Sequence, residues 1–106
     1  MATDPRTIET LLACLEPAGL ARAKPMFGEY GLYLDEHFIG VVCNDQFYLK
    51  PTKPGQSFAP DLALAPAYPG AKPSMIVPAE RWDEADWITE LLHITVQSLP
   101  APKKRK

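Results

Sequence analysis

Two histidines, two cysteines and one acidic cluster carry the side chains best suited to catalysis or metal binding in this chain of 106 residues. His93 falls on the polar side of a C-terminal helical pattern, and His37 sits beside a turn between two strand patterns. Nucleophilic catalysis through either would need a Ser or Cys in a glycine-flanked elbow, with backbone amides placed for an oxyanion. No such motif accompanies them, so both read as solvated surface histidines. Cys14 and Cys43 lie in neither a C-x-x-C nor a Cys/His spacing, which argues against zinc and against thioredoxin-type redox chemistry. They read as two reduced, structural thiols. Asp83-Glu84-Asp86 matches no calcium-loop spacing and is explained by the preference for negative charge at a helix N-terminus. Gly28-Glu29-Tyr30-Gly31 lacks the glycine spacing and the lysine of phosphate-cradling loops. The expectation is a protein that is not an enzyme, with no catalytic residues, no metal ligands and no cofactor.

The aromatic residues Tyr30, Tyr33, Phe47 and Tyr48 fall in neighbouring strand patterns and resemble a stacking platform for single-stranded nucleic acid. Such platforms need a basic surround, and the charge balance does not supply one. The formal net charge is −2; without Lys103-Lys104-Arg105-Lys106, the remaining 7 Lys+Arg face 13 Asp+Glu, a balance of about −6 over residues 1–102. Sheet packing is the expected role of these aromatics, and strong direct DNA binding by the domain is not expected. Trp87 is expected in the core. Trp82, ahead of the last helix, either covers the sheet edge or faces a partner.

The elements that position these residues follow from periodicity. Thr3-Asp4-Pro5 writes a helix start, and Ile8, Leu11, Leu12 and Leu15 recur at helical spacing until Pro17 and Gly19 close the helix near Glu16. From Lys24 to Lys50 the pattern becomes aromatic and β-branched, broken by glycine and by polar pairs. Three strands are predicted there, Met26–Leu34, Phe38–Cys43 and Gln46–Lys50, with turns at Asp35-Glu36 and Asn44-Asp45. The proline-rich stretch 51–73 predicts a structured connection with one short helix around Gln56–Leu62, followed by a strand over Lys72–Val77. Asp83 and Glu84 open the last helix, whose apolar arc runs from Ala85 and Trp87 through Ile88, Leu91 and Leu92 to Leu99, with Asp86, Thr89, Glu90, His93 and Gln97 opposite. Residues 1–99 read as one α+β domain and 100–106 as a flexible basic tail.

Met26-Phe27-Gly28-Glu29-Tyr30-Gly31-Leu32-Tyr33, then Phe47-Tyr48-Leu49-Lys50, then Lys72-Pro73-Ser74-Met75 ahead of Val77-Pro78, resemble the N-terminal domain of the TfoX/Sxy family across nearly the whole chain. This chain has Glu29 where the family commonly has another glycine, and it stops where the helical C-terminal domain of full-length regulators would begin. The resemblance implies a two-layer α/β sandwich, a mostly antiparallel sheet with helices on one face. It also implies a role in regulating competence genes, linked to transcription and without known catalysis. On that reading the domain contacts another protein, and the residues expected to meet it are Phe27, Gly28, Tyr30, Gly31, Tyr48, Lys50 and Trp82.

The competing expectation is a small enzyme or ligand-binding domain that uses a pocket between the sheet and the 51–73 connection. The longest apolar run, Phe38–Cys43, is far below the ~20 residues of a membrane helix, and the N-terminus has no secretory pattern, so a cytoplasmic location and no membrane contact are expected. An available strand edge predicts a homodimer. Gly28 and Gly31 are expected to serve backbone conformation or close approach, so that valine at either would destabilise the fold.

Overall fold

The computed structural model describes residues 3–26 and 29–99. Helix α1 (Pro5–Leu15) begins where the sequence says: the Asp4 side chain accepts the Arg6 amide, and proline fills the first helical position. A 3₁₀ turn, Glu16–Ala18, ends at Gly19. Strands β1 (Ala21–Met26), β2 (Glu29–Leu34), β3 (His37–Cys43) and β4 (Gln46–Leu49) follow. After β4 come α2 (Lys53–Phe58), β5 (Leu64–Pro66), β6 (Pro73–Val77) and α3 (Ala85–Ser98). The six strands form one antiparallel sheet in the order β1-β2-β3-β4-β6-β5. The chain is therefore an α+β protein with its helices on one face of the sheet.

The expected meander is present as β2-β3-β4, enlarged by strands at both sides, but the single strand expected over Met26–Leu34 is two: Met26 ends β1 and pairs with Glu29, where β2 begins. β1 went unread because Ala21-Arg22-Ala23-Lys24-Pro25 carries little β-branched or aromatic content, as befits an edge strand with proline and charge. The short helix lies over Lys53–Phe58, earlier than expected, because the Thr52 hydroxyl accepts the Gly55 amide at 3.0 Å and sets the start.

Alternation along each strand separates the two faces. Leu32 and Leu34 of β2, Val42 of β3, Phe47 and Leu49 of β4, and Met75 and Val77 of β6 are almost completely buried against Leu11 and Leu15 of α1 and Ile88, Leu91 and Leu92 of α3. A bulge interrupts β3: Leu32 pairs with Gly40 and Tyr33 with Phe38, leaving Ile39 as the extra residue, turned into the core. Tyr33, Phe38, Val41, Tyr48 and Ile76 fall on the opposite face and are only half-buried.

Both hairpin turns use left-handed backbone at non-glycine residues, with φ of 49° and 72° at Asp35 and Glu36 and of 51° and 63° at Asn44 and Asp45. Paired positive φ marks the turn whose twist matches that of the flanking strands. Asp35 is held there because its carboxylate accepts the Leu20 amide at 2.9 Å. Glu36 has only a long, exposed ion pair with Arg22 at 3.9 Å, a contact of little energetic value. Glu36→Gly should therefore raise stability by about 0.5–1 kcal/mol through relief of left-handed strain. A urea midpoint equal to or below that of the parent would refute it.

Candidate functional site: the open face of the sheet

With all three helices on one side, the other face of the sheet is left to strand side chains and one loop. Tyr33 and Phe38 pack with ring centroids 5.3 Å apart at 50°. The Lys24 ammonium lies 5.1 Å from the Tyr33 centroid, and that of Lys50 lies 4.7 Å from Phe38. Both cations thus sit over aromatic faces, where the ring quadrupole favours positive charge. Toward β6, the loop between β5 and β6 borders this face and encloses a half-open pocket of ≈ 530 Å³. Its walls include Phe38, Val41, Tyr48, Lys50, Tyr68 and Lys72. The pocket lies between the sheet and the 51–73 connection, and it exists because β4 leaves the sheet where β6 enters: Leu49 pairs with Met75.

The aromatic quartet of the sequence is divided by the sheet. Tyr30 and Phe47 point to the helices, Phe47 being fully buried and Tyr30 packed against the core. Tyr33 and Tyr48 stand on the open face. Of the residues expected to meet a partner, Tyr48 and Lys50 come together in the pocket wall. Gly31 is a buried position of β2 paired with Val41. Phe27 and Gly28 lie outside the described residues.

Trp82 is a core residue, whereas Trp87, expected in the core, is only partly buried and packs against its edge. Trp82 is 3% exposed, and its indole Nε1 donates to the Val77 carbonyl at 2.9 Å. Trp87 is half-buried on the surface, stacked on Phe58 with centroids 6.5 Å apart and capped by the Arg81 guanidinium at 3.7 Å. Arg81 also pairs with Asp61 at 3.0 Å and Glu84 at 3.4 Å. His93 is exposed, yet it is not free: its Nε2 donates to the Ala18 carbonyl at 2.8 Å, tying α3 to the turn after α1. That contact spans 75 positions in sequence and leaves no local signal.

Glu29 has a role the sequence did not reveal. Its carboxylate accepts the Thr3 amide at 2.8 Å and the Asn44 amide at 3.2 Å, joining the N-terminal stretch to the β3–β4 turn. Asp45 completes the clasp by accepting the Asp4 amide at 2.8 Å and the Thr7 hydroxyl at 2.9 Å. Burial opposes ionisation of Glu29, but hydrogen bonds from Thr3 and Asn44 outweigh it and hold the carboxyl below its ordinary range. A lowered folded pKa adds stability that is present above the unfolded value of about 4.3 and is lost as pH falls through the folded one. Glu29→Gln should cost about 1 kcal/mol at pH 7, and the deficit should shrink by pH 3. Urea midpoints of parent and variant that stay equally far apart at both pH values would contradict this.

Burial raises the pKa of both thiols, aided by Asp83 near Cys14 and by Glu29 near Cys43, which keeps them protonated and poorly nucleophilic. Among the described residues there is no group of three or more His, Cys, Asp or Glu that could hold a metal ion, and no helix long and apolar enough to cross a membrane.

A sequence profile for the TfoX N-terminal domain matches residues 13–99, which spans β1 to α3 and every wall of the pocket. The chain belongs to the TfoX N-terminal domain family. A relative from Spirochaeta aurantia, named only as an uncharacterized 12.7 kDa protein in the trpE 5' region, is 38% identical over 106 residues, covering 100% of this chain and 91% of that protein. Within the TfoX N-terminal domain described here, the pocket is built on β3, β4 and β6, with its outer rim on the β5–β6 loop.

Proposed function

We propose that this TfoX N-terminal domain is a non-catalytic protein-interaction module, and that any effect on transcription is exerted by contacting another protein rather than DNA. The observation that carries the reading is the open sheet face: Tyr33, Phe38, Val41, Tyr48 and Ile76 form a half-buried apolar surface opposite the helices. Apolar surface of this kind, rimmed by charge, marks interaction sites on soluble domains. The TfoX N-terminal domain family is not an enzyme family, which supports the non-catalytic part of the proposal.

Charge supports the second part. Duplex DNA binding through phosphates calls for roughly 6–10 cationic contacts on one surface. Residues 1–102 carry a balance of about −6. Anisotropy titration of a chain ending at Pro102 against duplex DNA at about 150 mM salt, where the Debye length is ~8 Å, tests this. No sub-micromolar, sequence-selective binding is expected, and its appearance would overturn the reading.

A further inference from the structure

Resting on that reading, we infer that the pocket between Phe38, Tyr48 and the β5–β6 loop receives a short acidic segment of a partner protein, with one apolar or aromatic side chain inserted and carboxylates on the two lysines at the rim. A cavity of ≈ 530 Å³ accommodates one large side chain and its neighbours rather than a whole folded surface. Its walls offer the Phe38, Val41 and Tyr48 side chains to an apolar group. The charged residues among its walls are Lys50 and Lys72, both cationic, on a chain whose formal net charge is −2. The local sign is thus opposite to that of the molecule, and complementarity selects a negatively charged occupant.

The rest of the face agrees. Lys24 lies further along it over Tyr33, adding a third cation to the same face. A nucleic acid fits less well. Two ammonium groups in the pocket wall, one of them engaged with Phe38, meet far fewer phosphates than a bound strand presents.

The test is fluorescence anisotropy of the full chain with labelled peptides that place Phe, Leu or Ala between two pairs of acidic residues. The Phe and Leu peptides should bind in the range of about 10–100 µM, typical of a short transient motif, and the Ala peptide about tenfold more weakly. Lys72→Glu should weaken the Phe peptide by about tenfold, and raising salt from about 50 to 300 mM should weaken it severalfold. Lys53→Glu, the same charge change on α2, should shift it less than about twofold. The inference falls if basic peptides bind equally well, if Lys53→Glu weakens binding as much as Lys72→Glu, or if no peptide binds at about 1 mM. It falls equally if an oligothymidylate or a small aromatic carboxylate binds more tightly than the peptides. Any of these leaves the interaction reading standing provided a protein still contacts the open face, which photo-crosslinking from Val41 or Ile76 in cells reads independently.

Discussion

Trp82→Ala is expected to destabilise the domain by about 3–5 kcal/mol, the range for removing a large aromatic from a packed interior. Trp82 is 3% exposed within the cluster that joins the sheet to α1 and α3, so its removal leaves a void that neighbouring elements cannot all close. Trp82→Phe separates the two parts of that cost. It keeps most of the volume but strands the Val77 carbonyl, which now receives the indole N–H at 2.9 Å, and should cost about 1–3 kcal/mol. Chemical denaturation of both variants measures this. An alanine variant as stable as the parent would show that Trp82 is not a core residue.

Gly40→Ala is expected to cost about 3 kcal/mol, or to prevent folding altogether. A Cβ at this position would run into the Tyr48 carbonyl oxygen, with the Tyr48 carbonyl carbon at 3.0 Å and the Leu49 Cα at 3.1 Å. These atoms are backbone of the paired strand and cannot swing aside, so the β3–β4 ladder must open. The cause is the bulge at Ile39, which brings Gly40 close against β4 while Lys50 donates its amide to the Ile39 carbonyl at 2.7 Å. A drop in Tm of more than about 12 °C is the expected reading, and an unchanged Tm would contradict the tight register. Gly70→Ala is the contrasting case, since nothing lies within 4 Å of the added Cβ and only the φ of 87° resists it.

These two positions show where the sequence is legible. The α1 and α3 patterns, both hairpin turns and the β6 strand follow from periodicity and turn chemistry, which act over a few residues. Gly40 gives no such signal. It sits in an unbroken apolar run, and only the pairing with β4 makes its missing side chain necessary. The division of Tyr30 from Tyr33 in β2 and of Phe47 from Tyr48 in β4 follows from strand alternation, but which of the two faces the helices cover is not written in that spacing. Trp87 falls on the apolar arc of α3 yet stays only partly buried, because the core opposite that stretch is filled by Ile88, Leu91 and Leu92. The location of a pocket beside the 51–73 connection was legible in outline; its cationic walls were not, because Lys50 and Lys72 are brought together only by the β4–β6 pairing.

Whether the open sheet face meets a protein is read most directly by site-specific photo-crosslinking in the source cells, with a photoreactive residue at Val41 or Ile76 on that face and, for comparison, at Glu9 or Glu90 on exposed positions of α1 and α3. One defined protein adduct is expected from Val41 and Ile76, weak or absent from Glu9 and Glu90. Adducts arising equally from the helical positions, or nucleic acid in place of protein at Val41 and Ile76, would contradict it.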